Sequence, residues 1–171
     1  MPIKDPRELF VLMLSHARQE TERGATIFKE LGEAAQNEEI KEALQARAFV
    51  TEKTLEKLDQ AFKLLGEQPM TLTGRLHDVF VEDFRKELAE IQSPEAKRIF
   101  ILAKANHWIH LRIGEYMALV AAADVSGNYG VGVLLESCLG DTLAFVERTK
   151  RLIRNVVETR VAAAAAARAR G

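Results

Sequence analysis

Proline occurs only four times in 171 residues, at positions 2, 6, 69 and 94, which leaves two long stretches without a breaker. Glycine adds 10 residues. Together they make up about 8% of the chain, below the ~12% of an average protein. This scarcity argues for long helices. The single cysteine, Cys138, excludes an intramolecular disulfide and fits a reducing compartment. No stretch of about 20 uncharged apolar residues is present, so no bilayer span is expected. Charge of one sign is also missing: 24 basic residues meet 25 acidic ones, for a net charge of −1 and a pI near 6.4. That balance gives no electrostatic pull toward nucleic acid or anionic lipid, and Arg160, Arg168 and Arg170 are a few charges on a tail. The opening MPIKDPRELF lacks the basic-then-apolar order of a signal peptide, so the cytoplasm is the expected location.

What is present is core material and helix formers. The chain is 47% hydrophobic and 29% charged, and contains 24 alanines. This excludes disorder and fits one helical domain. Asp5-Pro6-Arg7-Glu8 reads as a cap followed by a first-turn proline. Phe10, Met13, Ala17, Glu20, Gly24, Ile27 and Leu31 then recur at helical spacing, predicting a helix over about 6–32. Asn37 caps a second helix over 38–65, with Ile40, Leu44, Ala48, Thr51, Leu55, Leu58, Phe62 and Leu65 as its stripe and Gly66 as its stop. A shorter amphipathic helix, 74–91, follows Pro69 and is assigned Thr71 or Thr73 as its cap. Ser93-Pro94-Glu95 opens a helix over 94–123 whose inward line is read as Ile99, Ala103 with Leu102, Asn106, His110 with Ile109, Ile113, Met117 and Val120. The last helix, 128–160, places Val131, Leu134, Cys138, Asp141, Phe145, Leu152 and Val156 inward. An Ala/Arg-rich tail, 161–171, is expected to extend it and fray. No segment alternates as a half-buried strand does.

Two antiparallel hairpins joined by a long helical link make an all-α fold: a ferritin-like four-helix bundle with a crossover between its second and third helices. Polar residues interrupt each apolar stripe near its midpoint. These are Glu20, then Thr51 with Glu52, then Asn106 with His107 and His110, and finally Asp141. In an antiparallel bundle they share a height. Buried acids there require protons, an arginine, histidines or a metal as partners. Di-iron and di-manganese bundles use Glu from two helices and Glu-x-x-His from the other two. Here Phe49 precedes Glu52 by three positions and Ala144 follows Asp141 by three, so neither pair is complete. Arg47, near the second stripe, is expected to pair with a mid-bundle acid.

The run Leu55-Glu56-Lys57-Leu58-Asp59-Gln60-Ala61-Phe62-Lys63-Leu64-Leu65-Gly66-Glu67-Gln68-Pro69 resembles one in the YciE/YciF-type ferritin-like proteins of bacteria. Ala103 to Trp108 resembles a second landmark of that family, and the likeness spans about 8–150. It implies a ferritin-like core, a homodimer and a link to stress responses. Glu20 falls on the family's first-helix glutamate and His107 on a third-helix histidine. The family's second-helix Glu-x-x-His lands on Phe49 and Glu52, its third-helix glutamates land on Asn106 and Ile109, and the last helix keeps only Asp141.

The expected function is a non-catalytic structural or interaction homodimer with a degenerate di-metal site and no cofactor. The alternative is an atypical iron or manganese oxidase or peroxide-consuming enzyme using Glu20, Glu52, His107 or His110, and Asp141. A carrier of a small ligand held between the helices is a third reading. No nucleic-acid or membrane partner is expected.

Overall fold

The computed structural model describes residues 3–169, so Pro2 and the Arg170 end of the tail lie outside the described residues. The chain forms α1 (Pro6–Ala34), α2 (Glu38–Leu65), α3 (Leu76–Glu90), α4 (Pro94–Val125) and α5 (Tyr129–Arg168), with no strand among the described residues. Asp5, Asn37 and Ser93 each accept a hydrogen bond from the backbone N–H three residues ahead, satisfying orphan donors at three helix starts. Gly66, at φ 69°, takes the left-handed turn that stops α2. Two expected boundaries differ. Gly32 stays helical, packed toward Leu44, and α1 stops two residues later. Neither Thr71 nor Thr73 caps α3: Arg75 precedes it and offers no capping side chain.

The order of the helices follows from their contacts. α1 packs on α2 and α4 packs on α5, while α2 lies beside α5 and α1 beside α4. Thr21 meets Tyr116 and Gly24 meets Trp108, so α1 and α4 run in opposite directions. Every neighbouring pair among these four helices is antiparallel, which leaves α2 and α4 pointing the same way. The link between them must therefore travel the length of the bundle, about 43 Å for the 29 residues of α1 at 1.5 Å each. That is the ferritin-like arrangement. Residues 66–75 and then α3 do this together, the first segment pinned along one face of α1 and Arg85 of α3 reaching Glu30 further along it. The Ser15 hydroxyl accepts from Met70 N (3.0 Å), Gln19 bonds both backbone groups of Leu72 (3.0 and 3.1 Å), and Arg23 donates to Gly74 O (2.7 Å). α3 then lies over α1 and α4, with Phe84 stacked on Phe100.

Apolar packing divides into two clusters. Phe10, Leu14, Leu58, Phe62, Tyr116, Leu119, Leu135 and Cys138 fill one end. Ile27, Phe28, Leu31, Leu44, Ile101, Leu102, Trp108, Ile109 and Leu152 fill the other, which α3 closes with Phe80 and Phe84.

The expected inward line of α4 holds at Leu102 and Ile109 and is corrected elsewhere. Ile101, Leu102, Ala105, Trp108, Ile109, Arg112, Tyr116 and Leu119 face the core, while His110 is exposed and Met117 is 59% exposed. Apolar residues surround this helix because α3 covers part of its outer side, so no single stripe stands out. On α5 the buried polar positions are Thr142 and Thr149, and Asp141 sits one residue off the core face. One 18-residue window of α5 has a mean hydropathy of 1.3, which makes this helix long and apolar enough by composition to cross a bilayer; a third of that window is buried in the bundle.

Candidate functional site

At mid-height the apolar core gives way to a polar layer, where the midpoints of the stripes predicted one. α1 contributes Glu20 and Thr21, α2 contributes Arg47, Thr51 and Thr54, α4 contributes Arg112 and α5 contributes Thr142, all buried. The threonines satisfy their hydroxyls locally: Thr21, Thr51, Thr54 and Thr142 each donate to the carbonyl four residues back. Thr21 also shares a 2.9 Å hydrogen bond with the Tyr116 hydroxyl, joining α1 to α4.

The dominant groups are two arginines. Arg47 is 5% exposed and Arg112 is 4% exposed. Arg47 lies between the rings of Phe28 and Phe145, 5.8 and 5.6 Å from their centroids, and donates to Asp141 O at 3.1 Å. Burial holds its guanidinium below the ordinary arginine range. Arg112 lies 5.5 Å from the Trp108 ring centroid, and its Nη1 is 2.8 Å from Glu115 Oε2. Burial raises the Glu115 carboxyl above the usual carboxylate range; Arg112 opposes that rise and Glu20 adds to it. Glu20 occupies the α1–α4 side beneath the crossover, 3.6 Å from Arg23 Nη1 and close to Gly74. Between the two arginines lies a cavity of about 10 Å³ lined by Thr21, Gly24, Phe28, Thr51, Trp108, Ile109 and Tyr116.

The five residues singled out from the sequence do not converge here. Glu20 alone reaches the layer. Glu52, His107 and His110 are exposed; His110 Nδ1 lies 2.7 Å from Asn106 O of its own helix, and His107 packs edge-on to Phe80. Asp141 points outward and pairs with Lys57 at 2.7 Å. Arg47 accordingly meets the backbone of Asp141 rather than the carboxylate expected of it. Asn106 accepts from the Thr149 hydroxyl, away from the centre. Phe49, placed by resemblance on a ligand position, is 60% exposed.

A di-metal centre does not fit this donor set. Its ligands must be carboxylates and neutral imidazoles aimed at one point. Here the central cavity is lined by two guanidinium groups and by no carboxylate. Among the described residues no three His, Cys, Asp or Glu side chains are grouped to hold an ion. Arg112 was missed in the sequence, although a signal exists: it and Glu115 are the only Asp, Glu, Lys or Arg residues between Lys104 and Asp124.

The fold and its centre thus define a class: a ferritin-like bundle whose central cavity is lined by two buried arginines. Residues 5–163 match the family described as a domain of unknown function, DUF892, and the chain belongs to that family. No curated protein matches. Among solved structures, the chain is similar to the Escherichia coli stress protein YciF, with a TM-score of 0.85 at 21% identity over 91% of this chain and 99% of that one. It is also similar to YcfI of Rhodopseudomonas palustris, described as a candidate structural protein, with a TM-score of 0.81 at 23% identity over 86% and 94% of the two chains. A Xanthomonas campestris protein gives a TM-score of 0.70 at 18% identity over 92% and 96%.

Proposed function

We propose that this chain is a non-catalytic structural or interaction protein of the cytoplasm. In this reading it acts as a homodimer linked to stress responses and needs no metal. The observation that carries the proposal is the pair of buried arginines lining the central cavity. At an effective dielectric of about 20, two like unit charges ~4 Å apart repel by roughly 4 kcal/mol. A divalent ion doubles that figure for each guanidinium it faces. The stress context is supported by the likeness to YciF, and the structural role by the likeness to YcfI. The dimer draws support from α5, whose last turns project with Val157 and Val161 uncovered.

Elemental analysis of protein purified without chelators or immobilised nickel tests the reading. Iron and manganese are expected far below one ion per chain, both as purified and after reconstitution. Stoichiometric, tightly held metal would overturn it.

A further inference from the structure

The last helix outruns the bundle. α5 continues to Arg168, and every described residue from Val157 onward is exposed. From Val157 to Arg168 this arm is about 18 Å long at 1.5 Å per residue. Its charge sets it apart. Residues 148–171 hold seven of the 24 basic residues and one of the 25 acids, Glu158, which leaves the rest of the chain at a net charge of −7. Arg160 has Glu95 of its own chain close by. Arg168 lies about 12 Å further along a straight helix, and it forms no ion pair among the described residues.

The foot of the arm carries the complement. A groove of about 330 Å³ opens there, with Glu39, Ile40 and Glu95 on the bundle side and Val156, Arg160 and Ala163 on the arm. On α2, Lys41 is 3.8 Å from Glu38. Glu39 and Glu42, three residues apart and both exposed, form no ion pair among the described residues. The same end of the bundle holds two helix starts, α2 at Glu38 and α4 at Pro94. Their positive dipole ends favour the C-terminal end of an incoming helix.

We propose that the α5 arm of a second copy of this chain docks in this groove, antiparallel to the resident arm. The exchange is reciprocal about a two-fold axis. Arg168 of each copy meets the acidic start of α2, at Glu39, in the other, and each arm packs its alanines against Val156 and Ala163 opposite. A chain cannot make this contact with itself, because its own arm points away from its own acids. A closed pair leaves no arm free, which limits the assembly to two chains. The docking rests on the homodimer reading and names its surface.

Sedimentation velocity of the full-length chain over a concentration series tests it, in about 50 and about 500 mM sodium chloride. The dimer is expected to weaken in the higher salt, as charge-steered contacts do. Arg168→Glu and Glu39→Lys are each expected to raise the dimer dissociation constant about tenfold, since the symmetry applies each change twice. Both changes in one chain are expected to restore it to within about threefold of wild type. Arg168 sits exposed at the helix tip, so Arg168→Glu alone tests the contact if the Glu39→Lys chain folds poorly. A dimer unmoved by Arg168→Glu and by salt overturns the docking and leaves the homodimer reading standing. A combined variant as weak as the single ones also overturns it. A wild-type chain that stays monomeric overturns both, and if that monomer floats with phosphatidylglycerol vesicles the arm serves an anionic membrane instead.

Discussion

A β-carbon added to Gly24 would sit 2.8 Å from Trp108 Nε1, and the Trp108 ring is only 1% exposed, with little room to retreat. Gly24→Ala is therefore expected to destabilise the fold by about 1–3 kcal/mol, read from urea unfolding, despite alanine's better helix propensity. Cys138 gives a second residue-scale expectation. Burial pushes its thiol up to about 11, from an ordinary 9.0. The folded chain therefore holds the proton more tightly than the unfolded chain. Its contribution to stability is complete below pH 9 and is lost as pH rises from 9 to 11. Cys138→Ala is expected to remove that component of the alkaline slope, and a thiol reagent is expected to label the native protein only at the rate of unfolding. At this scale the sequence was informative about burial and less so about chemistry. Glu20, Thr51 and Cys138 were read inward because their neighbours on the same helix face are apolar. Asp141 was misplaced by one position, a rotation of 100° that carries a side chain from the core to Lys57.

At the scale of elements, caps and breakers located the helices because their signals are local. Asp5, Asn37, Ser93 and Gly66 act through backbone groups within a few residues of themselves. The facing of α4 was not legible in the same way. Its apolar residues meet both the bundle and α3, and the second partner lies elsewhere in the chain. The attachment of the crossover was also hidden, since Ser15, Gln19 and Arg23 read as ordinary polar residues until residues 70–74 lie against them. Gln19 bonds both backbone groups of Leu72, so Gln19→Ala is expected to speed amide exchange across residues 66–75 while leaving α2 and α5 protected. Uniform exchange changes along all five helices would show that the crossover is not pinned there.

At the scale of the whole molecule, the topology was readable from two facts: short links within each hairpin and a long link between them. The sign of charge at the centre was not, because it depends on which of several polar residues point inward on four separate helices. One molecular expectation concerns α5, which is exposed from residue 157 to its end and helical to Arg168. Ending the chain at Thr159 is expected to leave the unfolding free energy of the monomer within ~0.5 kcal/mol of full length. The same change is expected to weaken self-association in sedimentation velocity. A shortened chain that associates as strongly as the full one would place the contact on another face.

The central layer also acts as a ruler for assembly. It separates two apolar clusters, so the chemical character of the core changes along the bundle axis. Sliding α4 by one turn, about 5.4 Å, would carry Arg112 out of the layer and into aliphatic packing at one end or the other. An uninterrupted leucine core tolerates such a slip because each turn resembles the next. This core does not, and the threonine and arginine positions on four helices specify a single vertical alignment.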